Sequence, residues 1–255
     1  MHFLILTIFL HALIFSLFKI FGQRNINTFQ AIVVNYFVCV ITGSLFAGPA
    51  RVLAIGDDAP WLFVALALGL LFISTFYVMA LTSQRISMAA ASIASKMSVV
   101  IPVLFSMFVL KVSTNMNWLN YIGIGLALPA TWMSAQQGSS SRINYRILWL
   151  PLAAFIGNGA IDVIINYSSL HLLNSDQIDL FPIFSFLSAA VIGGVFLLIR
   201  GKGLDARAVI AGIILGVINY FSIYFLIRAL DSLGNNGALV YPCLLYTSDA
   251  ADDFA

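Results

Sequence analysis

Residues 60–81 read P-W-L-F-V-A-L-A-L-G-L-L-F-I-S-T-F-Y-V-M-A-L, 22 positions without a charged side chain. As a helix rising 1.5 Å per residue the run is ~33 Å long, enough to cross about 30 Å of hydrocarbon. A barrel strand would need roughly 10 residues of alternating apolar and polar character, and this run is continuous. Runs of the same kind recur at 2–20, 28–47, 87–110, 117–135, 147–169, 178–199 and 207–229, and a ninth begins near 235. The sequence therefore predicts an all-α polytopic membrane protein, with about eight complete spans and the start of a ninth.

Composition points the same way. Of the 255 residues, 61% are hydrophobic and 9% are charged, and mean hydropathy is +1.01. A water-facing domain carries roughly 25% charged residues. All ten acids are Asp, and the formal charge is only +2. No basic run with interleaved aromatics is present, which argues against nucleic acid as a partner. Cys39 and Cys243 give neither a disulfide framework nor a metal site. The N-terminus lacks the basic segment and small-residue cleavage site of a signal peptide, so it reads as the first span.

The joints between spans carry the punctuation of interfaces: F-G-Q-R-N-I-N at 21–27, G-D-D-A-P-W at 56–61 and Q-Q-G-S-S-S-R at 136–142. Trp61, Trp118, Trp132 and Trp149 all fall near span ends, where indole rings are expected at the headgroup level. The longest polar joint divides the chain into 1–135, a loop at 136–146, and 147–242.

The two halves echo each other. Span three ends F-Y-V-M-A-L-T-S (76–83), and span eight ends Y-F-L-I-R-A-L-D-S (224–232). Span four carries S-V-V-I-P (98–102), and span nine carries A-L-V-Y-P (238–242). If span n matches span n+5, the odd offset inverts one half relative to the other. That arrangement is common in secondary transporters, with the substrate site near the midplane. The expected natural form is ten helices in two inverted five-helix repeats.

After Pro242 the match fails. The run C-L-L-Y-T-S-D-A-A-D (243–252) is what TGT-CTC-TTA-TAC-ACA-TCT-GAC-GCT-GCC-GAC encodes. That string resembles a transposase-based sequencing adapter read in one frame. Residues 243–255 are therefore expected to be adapter-derived, and the natural chain to continue through span nine and a tenth span. Without Asp249, Asp252 and Asp253, twelve basic and seven acidic side chains remain. A chain open at this point is not expected to transport by itself.

An ionisable group at the centre of a spanning helix costs about 2.5–3.5 kcal/mol or more, so such groups are functional candidates by default. Lys96 lies about nine residues into span four, ~13 Å deep. Asp162 lies about fifteen into span six, ~22 Å deep from the same side. A direct or water-bridged pair is within reach. Lys96 could hold an anionic substrate group with Asp162 as a proton or cation site, or substrate and protons could break the pair during a cycle. A static ion pair is the bland alternative. Ser92 and Ser95 accompany Lys96, and Ser92 shares its helix face. Pro102, like Pro242 in span nine, is a candidate helix break that frees a backbone carbonyl. Asn35, Asn158 and Asn219 are secondary candidates, although such residues more often join helices. G-I-I-L-G (212–216) is a small-residue packing motif.

No catalytic constellation is visible. His2, His11 and His171 are scattered, and there is no H-E-x-x-H, no G-x-S-x-G and no P-loop to bind ATP. No enzyme activity, metal or cofactor is expected.

Q-A-I-V-V-N-Y-F (30–37), F-Y-V-M-A-L-T-S (76–83), K-M-S-V-V-I-P-V-L-F (96–105), G-I-G-L-A-L (123–128) and Y-F-L-I-R-A-L (224–230) together resemble the EamA-like branch of the drug/metabolite transporter superfamily. The resemblance covers 1–242. It implies a ten-helix carrier in a bacterial inner membrane that moves metabolites, amino acids or drugs. A second copy of the chain is a candidate partner. The Gly-Glu pair usual after span four in that family is replaced by L-K-V (110–112). Orientation has two readings. Eight basic residues against three, Lys19, Arg24, Arg85, Arg142, Arg146, Arg200, Lys202 and Arg207 against Arg51, Lys111 and Arg228, set the joint between spans one and two in the cytoplasm and the N-terminus outside. The resemblance to that superfamily implies instead an N-terminus inside. The expected function is secondary-active transport of a small organic solute by alternating access. The rival is a non-transporting membrane scaffold or a membrane enzyme.

Overall fold

The computed structural model describes residues 2–53, 60–86, 88–110, 149–174, 176–201, 203–237 and 240–241. The described elements are α1 (His2–Gln23), α2 (Thr28–Ala47), α3 (Pro49–Leu53), α4 (Pro60–Arg85), α5 (Met88–Met97), α6 (Val100–Phe108), α7 (Trp149–His171), α8 (Leu180–Arg200) and α9 (Ala206–Ser232). No strand occurs among the described residues. Six of these helices, α1, α2, α4, α7, α8 and α9, are long and apolar enough to cross a membrane. The fifth span, the inter-repeat loop and the tail from Pro242 lie outside the described residues.

Helix ends follow local chemistry. Asn27 caps α2, its side chain accepting from the Gln30 N–H at 3.2 Å, and Asp205 caps α9 by accepting from the Arg207 N–H at 3.0 Å. Gly201 ends α8 in the left-handed region, φ 61°. Several helices run past the apolar stretch that marks them: α4 continues to Arg85 and α9 to Ser232. Backbone hydrogen bonds within a helix are local and do not stop where the hydrocarbon does.

The fourth span is broken. Instead of one helix over 87–110 there are two short ones, α5 and α6, with a turn at Ser98–Val99. Pro102 explains the place. It has no N–H for the carbonyl of Ser98, four residues back, and its ring crowds that carbonyl. The Ile101 N–H takes the Ser98 carbonyl instead, at 2.9 Å, and the Ser98 hydroxyl donates to the Ser95 carbonyl at 2.6 Å.

The helices pack around α2, α4, α8 and α9. α2 lies against α9 and α8, and α4 against α8 and α7. α1 lies against α9, and both halves of the broken span lie against α7. Tyr36, Phe72, Phe76 and Phe186 meet at the centre, with ring centroids 5.3–6.4 Å apart. In the α2–α9 seam Gly212 and Gly216 let the backbones approach closely. The outer face of α8, including Val191, Val195, Leu198 and Ile199, is exposed and apolar, as a lipid-facing surface must be.

The α2–α8 pair is fastened at both ends. At one end Arg51, in the segment leaving α2, donates to Asp179 at 2.7 Å and to the Asp176 carbonyl at 2.5 Å. Asp179 holds the Arg51 guanidinium above its ordinary pKa. At the other end Gln30, in the first turn of α2, uses both ends of its amide on the segment leaving α8. It donates to the Gly203 carbonyl at 2.9 Å and accepts from the Asp205 N–H at 3.0 Å.

One expectation is corrected. Trp61 sits at a span end but not at a headgroup surface: it is 2% exposed, packed against Phe181 and Phe184 of α8. The start of α8 covers it, which proximity to a span end could not reveal. Trp149, 55% exposed at the start of α7, does face outward. Trp118 and Trp132 lie outside the described residues.

Candidate functional site

Helix α7 carries a polar stripe. Asn158, Asp162 and Asn166 follow one another at intervals of four, which places them on one face. Asn158 donates to the Ala154 carbonyl at 2.9 Å and contacts the Met79 sulfur of α4 at 3.4 Å. Asp162 is half-buried, and its carboxylate has no partner among the described residues. Its backbone carbonyl accepts the Tyr241 hydroxyl at 2.7 Å. Asn166 is fully buried, and neither amide atom finds a hydrogen bond among the described residues. Ser169, a further turn on, donates to Asn235 Oδ1 at 2.5 Å. This side chain pins the turn after α9, where Gly234 and Asn235 take positive φ of 65° and 56°.

The broken span lies beside this stripe. α5 and α6 both pack on α7, and a Cβ at Gly159 would collide with Ile101 next to the break. Ser95 is half-buried in α5. Ser92 and Lys96 fall in the same helix, but their side chains lie outside those described, as does Pro242. The Lys96–Asp162 pairing predicted from depth therefore has its helices adjacent and its contact outside the described atoms. Ser106 of α6 is a further buried hydroxyl without a partner among the described residues.

Asn35 and Asn219 are brought together elsewhere. In the α2–α9 seam Asn219 donates its amide to Asn35 Oδ1 at 3.2 Å. The Cys39 thiol donates to the Gly216 carbonyl at 3.2 Å in the same seam. Both asparagines are almost fully enclosed, at 0% and 4% exposure, and join two helices. This is the helix-joining use of such residues, away from the α7 stripe.

Sequence reasoning missed Asn166 and Tyr241. Asn166 was within reach: D-V-I-I-N (162–166) repeats a polar group at the same four-residue interval as N-G-A-I-D (158–162). Tyr241 had no such signal, because its place depends on how the chain folds back after α9.

These features define a class, an all-helical protein with membrane-length helices and a polar stripe inside the bundle. No protein-family model matches the chain. A protein of Haemophilus influenzae described as uncharacterized is 26% identical over 253 residues, covering 94% of this chain and 83% of that protein. A solved crystal structure superposes with a TM-score of 0.63 at 15% identity, covering 100% of this chain and 99% of that one. At that identity the likeness concerns the fold alone.

Proposed function

We propose that the protein is a secondary-active carrier of a small organic solute, working by alternating access and of the EamA-like kind. The observation that carries this reading is the broken span α5–α6 laid against α7, the helix that carries Asp162 at its middle. Interrupted helices beside an intramembrane charge are where transporters bind solute and coupling ion, because irregular backbone within the bilayer survives only where it lines a cavity or is buried in protein. A scaffold gains nothing from a costly carboxylate at that depth.

The contact pattern also supports two related halves. Exchange α1, α2 and α4 for α7, α8 and α9. The α2–α9 contact then falls on α8–α4, the α1–α9 contact falls on α7–α4, and α2–α8 falls on itself. Inverted repeats of five spans give this exchange. Asp162 would carry the coupling ion, with Lys96, Ser92, Ser95 and Asn158 lining the solute path.

The test begins by sequencing the source DNA past the Pro242 codon and expressing the reading frame found. Cells producing that chain are compared with cells producing Asp162→Asn for exported and accumulated metabolites. A solute whose flux appears with the wild-type protein and is lost in Asp162→Asn supports the reading. Equal flux in both Asp162→Asn and Lys96→Ala refutes the site.

A further inference from the structure

One buried amide has no hydrogen-bond partner among the described residues. Asn166 is fully enclosed, yet all its hydrogen-bonding capacity is unspent among the described residues. A carboxamide taken from water without new hydrogen bonds is strongly disfavoured, so the position is expected to serve a species that the described protein atoms do not supply.

Its surroundings are specific. Asp162 lies one turn away on the same face of α7, its carboxylate likewise without a partner among the described residues. A Cβ at Gly237 would collide with Asn166 Nδ2 and stand 3.1 Å from the Tyr241 ring. Tyr241 donates to the Asp162 carbonyl, which leaves the lone pairs of its hydroxyl oxygen available. Asn236, beside Gly237, carries another enclosed oxygen, Oδ1, with no partner among the described residues. The Ser169–Asn235 bond holds this turn against α7. Tyr241 and the turn at Gly237 thus cover the α7 face that carries Asp162 and Asn166, with Asn236 adjoining that turn in sequence; these side chains carry a carboxylate, two amide oxygens and a phenol oxygen between them.

We propose that Asp162 and Asn166, closed over by Gly237 and Tyr241, form a binding site for a monovalent alkali cation of sodium's kind. The donors are all oxygen, which suits a hard cation and not a transition metal. One carboxylate balances one positive charge, and no cluster of three His, Cys, Asp or Glu occurs among the described residues to hold a metal of higher charge. A proton needs only the carboxylate and leaves the amide idle. A water molecule satisfies the amide and leaves the carboxylate without a counter-charge among the described side chains. A cation uses both. As the coupling ion of the carrier this site rests on the transport reading, but binding itself does not.

The experiment uses the 255-residue chain in detergent. Its melting temperature is followed as NaCl replaces choline chloride at constant ionic strength, with 22Na+ binding measured beside it. Sodium is expected to raise the melting temperature saturably, and choline to leave it unchanged. Asn166→Ala and Asp162→Asn should each abolish the shift and the bound 22Na+, while Asn166→Asp, which keeps an oxygen, should retain binding if the alanine variant folds poorly. Ser74→Ala, on an exposed hydroxyl bonded only to its own helix, should behave as wild type. No sodium-specific shift in the wild type, or a full shift in Asn166→Ala, overturns the proposal and leaves the amide to a water molecule. Absent sodium binding with flux still lost in Asp162→Asn leaves the transport reading standing with a proton as the coupling ion. Sodium binding with flux intact in Asp162→Asn keeps the site and removes the transport reading.

Discussion

Replacing Gly216 by Ala tests the close α2–α9 seam. A Cβ at this position would stand 2.6 Å from Val38 Cβ, 2.7 Å from the Asn35 carbonyl oxygen and 2.8 Å from Val38 Cγ1. Two of these neighbours cannot swing away, since one is backbone and the other is fixed to it. α9 must therefore move outward. Overpacking of this kind costs about 1–3 kcal/mol. The shift also stretches the Asn219–Asn35 bond, already 3.2 Å long, and such bonds between membrane helices are worth about 0.6 kcal/mol. Against this, alanine is better than glycine within a helix by about 0.8–1 kcal/mol. The balance is a loss of about 1–2 kcal/mol. At about 2–4 °C per kcal/mol for a chain of this size, melting in detergent should fall by roughly 4 °C. Gly203→Ala is the control, because a Cβ there meets nothing within 4 Å. Adding Gly212→Ala to Gly216→Ala should cost less than the two changes separately, since one displacement of α9 relieves both collisions. A Gly216→Ala protein that melts at or above the wild-type temperature refutes the reasoning, as does strict additivity of the pair.

Two other perturbations follow. Arg51→Ala should lower the melting temperature at low salt, and the difference from wild type should narrow in concentrated salt, because the pair with Asp179 is partly exposed and screened. Its pH dependence has a definite sign: a raised arginine pKa stabilises fully below the ordinary arginine value and is lost only as pH rises through the higher folded value. Melting curves of wild type and Arg51→Ala should therefore keep a constant separation between about pH 7 and about pH 10; a separation that closes in this window counts against the pair. Pro102→Ala should let α5 and α6 fuse into one helix, raising the melting temperature and lowering flux. Unchanged flux in that variant would show that the break has no part in transport.

Much of this architecture was legible because it depends on neighbours in sequence. The six membrane-length helices follow from apolar runs such as 60–81, and the interruption in span four from Pro102. G-I-I-L-G at 212–216 named a close seam without naming its partner, α2. Depth counting set Lys96 and Asp162 within reach of each other; their helices, α5 and α7, are adjacent, and the contact itself lies outside the described atoms. Contacts between distant segments were not legible. Asn35 and Asn219 are 184 residues apart in sequence, and only the rotation of α2 and α9 about their axes decides that they meet. Trp61 turned inward for the same reason. Asn166 reads as ordinary helix-joining asparagine until its enclosure without a partner among the described residues is seen.

The two fastenings of α2 to α8 have a mechanical consequence. Each ties the segment leaving one helix to the first turn of the other, or to its immediate approach, so the pair can neither slide lengthwise nor splay at one end without breaking a bond at the opposite end. It is a stator. Any rocking that exposes the α7 stripe first to one side of the membrane and then to the other must be carried by α7 and the broken span turning about this fixed pair. The lubricated surfaces should then be those of α7, and the slowest amide exchange in the molecule should belong to the facing turns of α2 and α8.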